Sequence, residues 1–111
     1  MKDKKLSNKA GVNLTGNWVL PAVGTPGTIQ NKDSEANGYL STNGNTAAGS
    51  TVVEEALDAS DDGQKWIRSS VDGSGYFTLM NTNSKKYLTA SPANNHRNTL
   101  TIEGMTHFLS L

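Results

Sequence analysis

Residues 75–89 read Gly-Tyr-Phe-Thr-Leu-Met-Asn-Thr-Asn-Ser-Lys-Lys-Tyr-Leu-Thr, and this stretch decides the fold. Two short runs of aromatic, Leu and Thr residues flank a polar link, the pattern of two strands joined by a turn. The pattern returns upstream. Thr28-Ile29-Gln30-Asn31 matches Thr78-Leu79-Met80-Asn81 at an offset of 50 residues, and Tyr39-Leu40-Ser41 matches Tyr87-Leu88-Thr89 at 48. Trp18-Val19 and Trp66-Ile67 share the offset of 48, as do Thr51-Val52-Val53 and Thr99-Leu100-Thr101. Three anchors with one offset mark a repeat of about 48 residues, and a repeat fixes architecture before any single strand does.

Each unit reads as four short strands: at the Trp, at Thr-Ile or Thr-Leu, at Tyr-Leu, and at Thr-Val or Thr-Leu. Asn37-Gly38, Asn43-Gly44, Asp62-Gly63 and Asp72-Gly73-Ser74-Gly75 punctuate the links with residues that reach the backbone conformations of tight turns. Strand alternation places Leu40 and Thr42 on one face and Tyr39 and Ser41 on the other, as it does Leu88 and Ala90 against Tyr87 and Thr89. The Leu face is the expected core. Trp18 and Trp66 are expected to fill it, and if Phe77 points inward its neighbour Tyr76 points out. Residues 56–60 are the one stretch that reads as a helical turn.

Composition agrees with an all-β chain. Gly, Ser, Thr and Asn fill 46 of 111 positions and hydrophobic residues only 34%, so turns are plentiful and large core residues few. The length suits one domain, which at this size buries about two-thirds of its unfolded-chain surface. Ten basic residues against ten acidic ones leave no electrostatic footprint for nucleic acid. No apolar run approaches the roughly 18 residues of a membrane span. Without cysteine there is neither a disulfide nor a thiolate zinc site, and no other cofactor is indicated. Residues 1–10, with four lysines, read as a flexible basic tail, and residues 11–111 as the domain. No apolar stretch of a secretion signal follows the basic start, so the chain as it stands is expected in the cytoplasm.

Asn-Lys-Asp-Ser-Glu-Ala-Asn-Gly-Tyr-Leu at 31–40, Ala-Gly-Ser-Thr-Val-Val at 48–53, Gly-Gln-Lys-Trp at 63–66 and the stretch at 75–89 together resemble the ricin-type β-trefoil lectin repeat. That repeat runs strand, Asn, Ser-Gly-Lys-x-Leu, loop, Gly-x-x-Val, loop, Gln-x-Trp, and Gln64-Lys65-Trp66 matches its closing triplet. Outside 28–89 the likeness thins: Gly16-Asn17-Trp18 keeps only the Trp of a preceding unit, and Thr106-His107-Phe108 reads as a shortened closing element. The resemblance implies a pseudo-threefold barrel of twelve strands, carbohydrate as the partner, no catalysis, and a secreted or cell-surface home.

Ten strand sites can be counted, at Val12-Asn13-Leu14, Trp18, Thr28, Tyr39, Thr51, Trp66, Phe77, Tyr87, Thr99 and Phe108, two short of the twelve implied. Either the Lys-rich start supplies a strand, or the trefoil is incomplete and its open edges invite a neighbour, such as a second copy.

The family places an Asp directly after the Leu or Val of a unit's second strand, where this chain has Ser41 and Thr89. The family's Gln, two residues before an aromatic on the next strand, is replaced by Val53 and Thr101, with Glu55 and Glu103 in the aromatic place. The usual galactose site is therefore absent from both units. Sugar recognition needs an apolar ring face and an amide or carboxylate fork. Tyr39, Tyr76 and Tyr87, with Asn43, Asn94 and Gln64, are the candidates left. The alternative makes those tyrosines rim covers and those asparagines turns, on a scaffold used for protein–protein interaction or inhibition. Glu54, Glu55, Asp58, Asp61 and Asp62 lack calcium-loop spacing and read as a solvated turn. His96 and His107 lack the frame of a catalytic triad, so the chain reads as a non-enzyme.

Overall fold

A computed structural model describes residues 6–8, 13–14, 16–92 and 98–111. Eleven strands run through them: β1 (Leu6–Asn8), β2 (Asn13–Leu14), β3 (Trp18–Val19), β4 (Gln30–Asn31), β5 (Tyr39–Ser41), β6 (Val53–Glu55), β7 (Trp66–Arg68), β8 (Leu79–Asn81), β9 (Tyr87–Pro92), β10 (Asn98–Glu103) and β11 (Leu109–Ser110). They form three antiparallel sheets, ordered β3-β4-β5-β6, β10-β9-β8-β7 and β11-β1-β2. Isolated bridges tie the sheets together, Gly27 to Trp66, Phe77 to Leu109 and Thr51 to Thr101.

The two four-stranded sheets share one register. Trp18 lies opposite Asn31 as Trp66 lies opposite Asn81, and Gln30 opposite Tyr39 as Met80 opposite Tyr87. Leu40 opposes Glu54 as Leu88 opposes Ile102. The residues that the offsets align in sequence thus hold corresponding register positions in the two sheets.

The core draws on every sheet: Trp18, Ile29, Leu40 and Val52 beside the first, Trp66, Leu79, Leu88 and Ile102 beside the second, Leu14 and Leu109 from the third. Burying each such side chain contributes about 1.5–3 kcal/mol. Both tryptophans fill this core as the sequence predicts. A buried indole N–H needs an acceptor; Trp18 donates to the Leu14 carbonyl and Trp66 to that of Leu40, each at 3.1 Å. Phe77 is likewise buried and Tyr76 half-buried.

Several local expectations are corrected. Residues 56–60 form no helix: the bond from Ser60 N–H to the Ala56 carbonyl that a helical turn needs is replaced, with the carbonyl accepting from Gln64 Nε2 at 2.8 Å and Ser60 N–H donating to Asp58 Oδ1 at 3.0 Å, while Asp58 N–H donates to Gln64 Oε1 at 2.9 Å. Short 3-10 turns occur instead at Lys32–Asn37 and Asp62–Gln64, where the side chains of Asn31 and Asp61 cap the first free N–H groups. Ser41 is fully buried rather than outward: at the end of β5, where the chain enters the turn at Asn43-Gly44, its hydroxyl accepts from Asn43 N–H at 3.0 Å. Leu6–Asn8, read as part of a tail, is strand β1. Pairing with both β2 and β11 satisfies a backbone whose composition alone offers little to pack.

Candidate functional site

β9 and β10 form the longest ladder, with Tyr87 opposite Glu103, Leu88 opposite Ile102 and Thr89 opposite Thr101. The pleat sends Leu88, Ala90 and Ile102 into the core and leaves Tyr87, Thr89, Thr101 and Glu103 half-buried on the other face. Thr101 Oγ1 donates to Glu103 Oε2 at 2.7 Å, which fixes the carboxylate, while Thr89 Oγ1 donates to the Tyr87 carbonyl at 3.1 Å. After Glu103 the chain loops through residues 104–106 and returns to β9 at His107, whose Nε2 accepts from Ala90 N–H at 3.2 Å. Between β9 and this loop lies an open cavity of about 440 Å³, lined by Thr89, Glu103, Gly104, Met105, Thr106 and His107.

Chain length explains the opening. Eleven positions separate Glu55 from Trp66 in the first sheet's link, and six separate Glu103 from Leu109. The longer link folds back on itself around the buried Gln64 amide; the shorter one cannot.

Glu103 is the formally charged group among the described lining residues. His107 accepts a hydrogen bond at Nε2, so its proton sits on Nδ1, and partial burial lowers its pKa below the usual histidine value. Met105, 83% exposed, stands at the rim as an apolar contact. The cavity therefore offers one oriented carboxylate, hydroxyls, an imidazole N–H and a thioether.

The residues singled out from sequence are dispersed. Tyr39 and Tyr87 are half-buried and stand across the ladder from Glu55 and Glu103 respectively, so Tyr87 adjoins the cavity through its cross-strand partner. Asn43 is exposed at a turn, with φ of 53°. Tyr76 follows the Asp72–Gly75 turn, and its N–H donates to Asp72 Oδ1 at 3.0 Å. Gln64 is 1% exposed, with both ends of its amide committed to the link at residues 56–58. Asn94 lies outside the described residues, as does His96. In the sequence Thr89 and Glu103 stood out only as departures from the family's pattern, Thr106 only as part of a shortened closing element, and Met105 not at all. The short link from Glu103 to Leu109 was the available signal.

The acidic run holds its own turn together. Asp58 accepts from Ser60 Oγ at 2.6 Å and Ser60 N–H at 3.0 Å, which holds its carboxyl below the usual range. Asp61 caps Gly63, and Asp62 pairs with Lys65 at 3.3 Å.

A family model described as ricin-type beta-trefoil lectin domain-like matches residues 16–103. No curated protein and no solved structure matches the chain.

Proposed function

The chain belongs to the ricin-type beta-trefoil lectin domain-like family, and from that membership we propose that it is a non-catalytic carbohydrate-binding module whose sugar site is the cavity between β9 and residues 104–107. The observation that carries this is positional. Thr89 and Glu103 stand where the resemblance puts the sugar-binding Asp and the aromatic, and they line one cavity. On this reading the carboxylate fork moves from one strand to the next, and Met105 replaces the aromatic ring as the apolar contact. Binding is weak and of altered specificity, as suits an accessory unit of a larger, secreted glycan-active protein.

The third sheet supports a trefoil frame. Leu109 lies opposite Asn8 as the tryptophans lie opposite Asn31 and Asn81, and Ser7 opposes Asn13 as Gln30 opposes Tyr39. The third unit then comes from segments far apart in the chain, with Leu6 to Leu14 in the place of Ile29 to Leu40.

On a glycan array the protein is expected to bind with micromolar to millimolar affinity, and Thr89→Trp, which fills the cavity, to abolish the signal while circular dichroism stays unchanged. An array that stays blank, or binding that survives Thr89→Trp, would sink the proposal.

One observation favours a second reading. Only four positions separate Leu14 from Trp18, against 26 from Leu40 to Trp66, and among the described residues β2 lacks the outer partner that β6 and β10 give to β5 and β9. Such an edge is a template for strand addition by a protein partner or a second copy. Light scattering that finds a stable dimer, with no glycan binding, would favour that reading.

A further inference from the structure

We infer that the cavity selects a saccharide bearing a free amine, a 2-amino-2-deoxyhexose unit whose ammonium is held by Glu103; this rests on the carbohydrate reading above.

The lining is rich in acceptors. Glu103 has one oxygen fixed by the Thr101 hydroxyl, and its other oxygen has no partner among the described residues. The Thr89 hydroxyl gives its proton to the Tyr87 carbonyl and so presents lone pairs. Among the described residues, no lysine or arginine lines the cavity. His107 is kept uncharged at neutral pH, with Nε2 engaged by Ala90 N–H, and so does not offset the Glu103 charge.

Three ligand classes meet this lining differently. An ammonium brings a positive charge and three donors to a carboxylate and a hydroxyl lone pair, forming charge-assisted bonds about twice as strong as neutral ones. An N-acetylated sugar can give its N–H to the carboxylate and its carbonyl can accept from His107 Nδ1–H, but it brings no charge, so its bond to Glu103 lacks the second ionic partner. A uronate or sulfated sugar meets like charge at Glu103. Where the resemblance places an aromatic face for the ring, this chain places an anion, so recognition shifts from the ring face to the ammonium. Met105 beside it keeps an apolar contact for the ring's C–H groups.

The test is titration calorimetry of the intact chain at pH 7 with chitosan tetraose, its fully N-acetylated counterpart, cellotetraose, and spermidine as an amine without sugar. Chitosan tetraose is expected to bind about tenfold or more tightly than the other two saccharides, as befits a hydrogen bond to a charged group. Glu103→Gln should remove that preference, with the fold checked by thermal melting, and Asp33→Asn, which deletes a negative charge elsewhere, should leave it intact. Equal binding of all three saccharides, or a preference that survives Glu103→Gln, would overturn the amine assignment while leaving the sugar-binding reading standing. Spermidine binding as tightly as chitosan tetraose, or a preference lost equally in Asp33→Asn, would overturn it as general cation attraction. Absence of binding by every saccharide would overturn both.

Discussion

Asn81→Asp is a sharp probe of how the second sheet is locked to its neighbouring links. Asn81 is fully buried on β8. Its Nδ2 donates to the carbonyls of Gly63 at 3.1 Å and Lys65 at 3.3 Å, and its Oδ1 accepts from the N–H groups of Asn83 at 3.1 Å and Ser84 at 2.9 Å. The substitution preserves shape and the accepting oxygen but turns the donor into an oxygen aimed at two carbonyls. Those carbonyls keep Thr42 N–H and Thr82 N–H as partners, so neither is orphaned. The two lost bonds then cost about 1 kcal/mol each. The buried charge adds to this until the group takes up a proton instead. From an ordinary carboxylate pKa near 3.9 to pH 7, at 1.36 kcal/mol per unit, that addition is bounded at about 4 kcal/mol. The expected loss is about 3–5 kcal/mol at pH 7, a large share of a small domain's stability. The folded-state pKa of the introduced carboxyl is raised, so its penalty is absent below about pH 4 and grows as pH rises toward that raised value. Near pH 4 the loss should therefore shrink to about 2 kcal/mol. Urea denaturation followed by the fluorescence of the two buried tryptophans measures this, variant against parent at each pH. A loss under about 1 kcal/mol, or one identical at both pH values, would refute the reasoning.

Trp66→Phe removes the indole donor to Leu40 from a fully buried site and should cost about 2–4 kcal/mol in the same assay; a loss under about 0.5 kcal/mol would mean the site repacks freely. A methyl group at Gly38 would run into the Asn31 carbonyl oxygen, whereas Gly73 has open space within 4 Å. Gly38→Ala should therefore lower the melting temperature by several degrees and Gly73→Ala leave it nearly unchanged, an order that equal shifts would contradict. Because burial lowers the folded-state pKa of His107 below its unfolded value near 6.5, protonation favours the unfolded chain. The His107 contribution is complete above about pH 6.5 and declines as pH falls toward the lowered value. His107→Gln should flatten that part of the stability profile, and an unaltered slope would remove His107 as its source.

The alternation of Leu40 and Leu88 with Tyr39 and Tyr87, the spacing of the tryptophans and the Gly and Asn turns are local properties. Each depends on a residue and its near neighbours, so the strands, the core and the two matching sheets were legible in the chain. The link at residues 56–64 was not, because its path follows from a side-chain amide meeting backbone groups six and eight positions away. Strand β1 escaped for a related reason: polar Leu6–Asn8 becomes a strand only because β2 and β11 lie on either side of it. The sequence also showed that Thr89 and Glu103 depart from the family's sugar-binding pattern, without showing what they form instead.

The all-β pattern, the anchors 48 residues apart, the tryptophan-centred core and the family likeness are readable from the chain alone, since side-chain period and turn chemistry are written residue by residue. The fold alone shows where a cavity opens. A cavity is the space left between segments brought together from different parts of the chain, and its walls at β9 and residues 104–107 meet because Ala90 N–H finds the His107 ring across seventeen positions.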